Sequence, residues 1–146
     1  MRLTGFTDYA LRVLMYVGAK QESLSTVEEI ADAYGISRHH LTKVVQRLGQ
    51  LGYLETLRGK GGGMRLAREP SDINLGAVIR QTEDDLALVP CLPGGGPACR
   101  IAPACVLKGL IGEALSEFLA VFDRHTLADL LGPRRKLVSL LAAAQT

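Results

Sequence analysis

No uninterrupted apolar stretch opens the chain. Arg2, Asp8 and Arg12 break the run from Met1 to Lys20, which suits neither the core of a signal peptide nor a membrane span. A cytoplasmic protein with no membrane partner is therefore expected. Charge of one sign is also scarce. With 17 Lys and Arg against 15 Asp and Glu, and a formal net charge of +2, any contact with nucleic acid has to come from local clusters of Arg and Lys. No glycine-rich nucleotide motif follows a strand, so a nucleotide-dependent redox enzyme would lack its phosphate cradle. Cysteines number only three, and an odd count makes a disulfide scaffold a poor reading in a reducing compartment. What remains is a chain of 146 residues, 47% hydrophobic and 22% charged. That is enough for one compact unit plus an extension, and it argues against disorder.

Periodicity supplies the first elements. A helix is expected to start near Thr7, which can cap it, with Asp8 in the first turn where a carboxylate suits the positive end of the helix dipole. Ala10, Val13, Leu14 and Val17 then recur with the spacing of one buried face. Ser25 with Glu28, or Thr26 with Glu29, forms a capping box ahead of a short helix ending near Tyr34. Gly35-Ile36-Ser37 reads as a tight turn, with Ser37 capping a longer helix that begins at Arg38 and ends at Gly52. Its apolar set is Leu41, Val44, Val45 and Leu48, which leaves Arg38, His39, His40, Lys43, Gln46 and Arg47 on other faces. A short helix, a glycine-containing turn and a longer helix with polar faces spell helix-turn-helix.

The next segment strengthens that reading. Tyr53 to Leu57 reads as a strand, Arg58-Gly59-Lys60-Gly61-Gly62-Gly63 as a flexible basic turn, and Met64 to Leu66 as the returning strand. This is a wing. Its glycines let backbone approach a phosphate chain, and Arg58, Lys60 and Arg65 carry the charge such contact requires. The second helix of a helix-turn-helix enters the major groove by its N-terminal residues, so Arg38, His39, His40 and Lys43 are the expected DNA-binding positions there. Arg is the readiest reader of guanine. Alone, either feature has a plain rival in a solvated turn or an ordinary surface helix; together they favour DNA. His39 and His40 diverge by about 100° around a helix and no HxxxH spacing accompanies them, which argues against a metal pair.

Pro70 to Asn74 reads as a loop and Leu75 to Glu83 as a short helix. Cys91, Cys99 and Cys105 follow with the spacing C-x7-C-x5-C, in a segment where Pro90, Pro93, Pro97, Pro103 and Gly94 to Gly96 make helix or sheet implausible. Such a loop can wrap an inorganic cluster, pointing thiolates inward and backbone N–H groups at the sulfides. Zinc is a competitor, although no close cysteine pair and no fourth ligand stand nearby; a set of unligated cysteines is the bland alternative. Beyond Cys105 an apolar stripe from Val106 to Phe122 sustains about five turns of helix, wide enough to pack against a twin in a homodimer. A short helix over Thr126 to Leu131 carries His125 in its first turn, and the tail from Arg134 is uninformative. The fold class expected is mainly α with a small β-wing. Residues 1–83 form the winged helix-turn-helix domain, 84–105 the cluster loop, and 106–146 the dimerisation helix and tail.

Met1-Arg2-Leu3-Thr4, Phe6-Thr7-Asp8-Tyr9-Ala10-Leu11-Arg12, the basic glycine wing, the three cysteines and Thr126-Leu127-Ala128-Asp129-Leu130 together resemble the dimeric winged-helix regulators that include IscR and NsrR. The similarity spans nearly the whole chain. Phe6 to Tyr9 and Ile101-Ala102-Pro103-Ala104-Cys105 are most similar to the NsrR-type branch, repressors of nitric-oxide-detoxification genes. The resemblance implies a homodimer on a pseudo-palindromic DNA operator, one 4Fe-4S cluster per subunit with 2Fe-2S as the alternative, and nitric oxide as the signal. It also implies a ligand set of Cys91, Cys99, Cys105 and Asp8 of the partner subunit. From the residues alone, Asp8 is equally a first-turn carboxylate countering the helix dipole. IscR-type members carry a histidine shortly after the last cysteine, whereas this chain has Leu107 and Lys108 there and no histidine before His125. The seven residues between Cys91 and Cys99 exceed the interval the resemblance implies. An iron-sensing or redox-sensing regulator is the second reading within the class, and an iron-sulfur electron-transfer protein or a cluster-free DNA-binding protein are the readings outside it.

Overall fold

The computed structural model describes residues 2–97 and 99–144. Met1, Ala98, Gln145 and Thr146 lie outside the described residues, and with them the outermost positions of the two expected terminal segments. Along the chain run α1 (Gly5–Ala19), α2 (Val27–Tyr34), α3 (Arg38–Gln50), β1 (Leu54–Leu57), β2 (Gly63–Leu66), α4 (Leu75–Thr82), α5 (Val106–Asp123), α6 (Leu127–Leu130) and α7 (Arg134–Ala143). The architecture is mainly α with a small antiparallel wing, paired from Leu54 opposite Leu66 to Leu57 opposite Gly63.

Capping chemistry sets the helix starts. Thr4, not Thr7, caps α1: its Oγ1 accepts from the Thr7 N–H. Thr7 is fully buried and its hydroxyl donates to Thr82 Oγ1 at 2.9 Å, a partner that a buried hydroxyl needs. Of the two candidate capping boxes ahead of α2, Thr26 with Glu29 forms, with reciprocal bonds of 3.2 and 2.9 Å. Gly35 then takes the left-handed conformation, φ 65°, which turns the chain into α3 at little steric cost.

The core gathers Val13 and Leu14 of α1, Ile30 of α2, Leu41, Val44 and Leu48 of α3, Ile73, and Val78 of α4. Leu127 of α6 joins them at 0% exposure. The chain is stitched there by backbone bonds from the Leu127 N–H to the Ile73 carbonyl, 2.9 Å, and from the Leu75 N–H to the His125 carbonyl, 3.0 Å. His125 precedes α6, which Thr126 caps, and its Nδ1 sits 3.2 Å from Asp129 Oδ2. The tail is helical as well. α7 packs against α1 and α2, so residues 127–143 return to the helix-turn-helix unit rather than trailing from α5.

Candidate functional site

α3 presents two faces because its apolar residues recur at helical spacing. Leu41, Val44, Val45 and Leu48 are buried, while Arg38, His39, His40, Thr42, Lys43, Gln46 and Arg47 are exposed. All four positions expected to face bases therefore lie on solvent-accessible surface in its first two turns. Arg38 lies 3.7 Å from Glu28 of α2, an exposed pair that a phosphate or base edge can displace at small cost. The His40 ring stacks on Tyr9 of α1, with centroids 6.4 Å apart, and His39 is tilted against His40.

The wing is built by β1 and β2 around a tip where only glycine fits. Gly59 and Gly61 have φ of 101° and 78°, and a Cβ on Gly62 would fall 2.2 Å from the Leu57 carbonyl oxygen. Arg58 and Lys60 are exposed at this tip, with no ion pair among the described residues. Arg65 differs: its Nε donates to Glu55 Oε2 across the hairpin at 2.8 Å. Arg68 is a further cation at the wing, outside the expected set. Its guanidinium lies 4.8 Å from the Tyr53 ring centroid and donates to the carbonyls of Leu51 and Gly52, pinning the wing to the end of α3. The only sequence signal for that role is a cation close after the returning strand.

The three cysteines are free thiols, Cys99 exposed and Cys91 and Cys105 half-buried. Cys105 is the N-cap of α5, and its Sγ accepts from the Lys108 N–H at 3.4 Å. Gly94 and Gly96 turn the loop with φ of 89° and 134°. By donor chemistry the loop fits a soft-metal cluster: three accessible thiols on irregular backbone with N–H groups at hand. The fold of one chain does not gather them; among the described residues no group of three His, Cys, Asp or Glu side chains is placed to hold a metal ion. Asp8 sits apart in the first turn of α1, its Oδ2 2.9 Å from Arg12 Nε.

α5 follows the loop with much of its apolar stripe uncovered. Leu119 is its one buried residue, whereas Val106, Leu107 and Leu110 are 77%, 62% and 57% exposed. Its far end is held to α4: Arg80 Nη2 donates to Asp123 Oδ2 at 2.8 Å. The paired guanidinium holds the Asp123 carboxyl below its ordinary range. This bridge lies over Gly76, where any Cβ would meet the Asp123 carboxylate. No helix among the described residues is long and apolar enough to cross a membrane.

Comparison with known proteins places these features in a group. The sequence profile of the Rrf2 family, described as an iron-dependent transcriptional regulator, matches residues 3–133. The HTH-type transcriptional regulator NsrR of Geobacillus kaustophilus strain HTA426 is 51% identical over 142 residues, covering 97% of each chain. Its counterpart in Bacillus subtilis strain 168 is 49% identical with the same coverage. Among solved structures, T. potens IscR superposes with a TM-score of 0.72 at 26% identity, over 90% of this chain and 86% of the other.

Proposed function

The chain belongs to the Rrf2 family of iron-dependent transcriptional regulators, and from that premise we propose that it is a dimeric iron-sulfur repressor that leaves its operator when nitric oxide reaches the cluster. Its relatives are regulators and not enzymes. The observation that carries the proposal is the exposed first turns of α3 beside a glycine-rich basic wing, in the same chain as a loop of three free thiols.

Arg38, His39, His40 and Lys43 face base edges, with Arg38 positioned by Glu28 until DNA replaces that partner. Arg58 and Lys60 at the wing tip neutralise phosphates, and the close approach of Gly59 to Gly63 keeps their stems near the backbone. Two copies joined through the uncovered face of α5 present two recognition helices to half-sites about one DNA turn apart. In this division of labour residues 1–83 read DNA, 84–105 hold the cluster, and 106–146 include the dimerisation helix α5. Cys91, Cys99, Cys105 and Asp8 of the partner subunit would hold the cluster, 4Fe-4S with 2Fe-2S as the alternative, which would offer an iron open to nitric oxide. Because Asp8 lies in the first turn of α1 and its neighbour Tyr9 stacks on His40, a change at Asp8 reaches the recognition helix through one residue. Only a few kcal/mol of coupling is required, since ~1.4 kcal/mol changes affinity tenfold.

The experiment is an anaerobic nitric oxide titration, following visible absorbance and resonance Raman together with binding to a palindromic promoter fragment. Loss of a 4Fe-4S spectrum in step with DNA release supports the mechanism. A cluster indifferent to nitric oxide, or a 2Fe-2S spectrum, moves the assignment to iron or redox sensing. Alanine at any one cysteine should abolish both absorbance and specific DNA retention, and retained specific binding by that variant contradicts the coupling.

A further inference from the structure

The proposed function leaves the charges of α7 unused. Arg134, Arg135 and Lys136 fill its first turn, at the positive end of the helix dipole, where cations weaken a helix. Helix stability therefore does not account for them, and a sequence that breaks a local rule points to another use. Arg134 Nε donates to the Ala19 carbonyl at the end of α1, 2.8 Å away. Arg135 and Lys136 are exposed, with no ion pair among the described residues. All three border an open cleft whose other rim is Lys20, and Glu22 is the one carboxylate among its described lining residues.

The cleft adjoins the helix-turn-helix. Lys20 Nζ lies 2.8 Å from Glu29 in the first turn of α2, and the preceding Glu28 lies 3.7 Å from Arg38, the first residue of α3. Lys20 and Ser23 also border a second cleft with Arg65, Arg68 and Glu69 at the base of the wing. In the linings of the two clefts Lys20, Arg65, Arg68, Arg134, Arg135 and Lys136 outnumber Glu22 and Glu69, and Lys20 is common to both. The family profile ends at residue 133, just ahead of this helix.

We propose that Arg135 and Lys136 contact the DNA phosphate backbone, making α7 a third DNA-binding element beside α3 and the wing. The inference rests on the reading that this chain binds duplex DNA. Two exposed cations with no ion pair among the described residues suit a phosphate contact, which needs charge and reach but no base-edge geometry.

The test is fluorescence anisotropy of the full-length protein on a mixed-sequence duplex of about 30 base pairs, roughly three helical turns, across a salt series. R135A/K136A should lower the slope of log K against log salt by about 1.8 per subunit, at about 0.9 for each phosphate left unneutralised. R135K should keep the parental slope. Circular dichroism should not change and thermal stability should not fall, because both side chains are exposed and stand where cations weaken a helix. An unchanged slope in R135A/K136A overturns the proposal, as does a loss of affinity equal at every salt concentration, which marks a structural effect. If the parental chain shows no salt-dependent binding, the helix-turn-helix reading fails first and this inference with it.

Discussion

Leu127 tests whether the C-terminal return is part of the DNA-binding unit's core. Its side chain is fully buried, and one of its methyl carbons lies 3.5 Å from where a Cβ on Gly18 would stand, so α1 and α6 meet without room between them. Leu127→Ala removes about three methylene equivalents, worth about 2.4 kcal/mol in transfer at ~0.8 kcal/mol each. A cavity term raises the loss to about 3–4 kcal/mol where the walls cannot collapse. At about 2–4 °C per kcal/mol for a chain of this size, the melting temperature falls by roughly 6–16 °C. Urea unfolding at fixed protein concentration is the assay, because a lower midpoint at unchanged slope isolates stability from compactness. A loss under about 1 kcal/mol, or a separate early transition for the C-terminal segment, would refute the reasoning and make residues 127–143 an appendage.

Two further outcomes follow from the wing and from α2. R58A/K60A should reduce the salt slope of DNA binding by about 1.8, whereas R65A should reduce it by under half that amount, because Arg65 is engaged by Glu55 across the hairpin; equal effects per residue in the same anisotropy assay would show that DNA displaces the Glu55 pair. Burial raises the Glu29 carboxyl, but the hydrogen bonds from Lys20 and the Thr26 N–H outweigh it and leave the net shift downward. A lowered folded pKa contributes stability above the unfolded value that is lost as pH falls through the folded one. Unfolding at about pH 3 and pH 6 should therefore show E29Q losing a few tenths of a kcal/mol less on acidification than the parental chain, a small effect because the pair is part-exposed; identical losses would remove Glu29 from the acid response.

Much of the DNA-binding half was legible because its signals are local. Apolar spacing located α3 and its exposed cations, and a Gly-rich basic stretch between two short strands announced the wing. Signals that depend on long-range packing were not legible. Thr4 took the cap expected of Thr7 because a Thr82 hydroxyl, distant in sequence, engages Thr7. α7 went unseen because its first turn carries cations where a helix start favours carboxylates, and its place is fixed by Arg134 reaching Ala19, 115 residues away. The C-x7-C-x5-C spacing named the soft donors but could not say whether one chain brings them together.

That last point bears on how the proposed ligand set could assemble. Asp8 is held through Oδ2 by Arg12 one helical turn on, at 2.9 Å, so it can serve a metal through Oδ1 or by exchanging that partner. The pair is exposed, with side chains 47% and 44% accessible, and an exposed i,i+4 pair is worth only about 0.3–0.5 kcal/mol. Arg12 is also not stranded by the exchange: its guanidinium already lies 5.6 Å from the Tyr34 ring centroid, a contact that remains when the carboxylate moves. The obstacle to a four-ligand site is therefore not the ion pair at Asp8 but the separation of the donors, since among the described residues no three metal-ligating side chains are placed together. A second subunit is the economical way to close it, since the uncovered apolar stripe begins at Val106, directly after Cys105. Under the proposed function, burying that stripe against a twin would bring the partner's chain up to the thiol loop in the same step, so that dimerisation and ligand assembly would be one event.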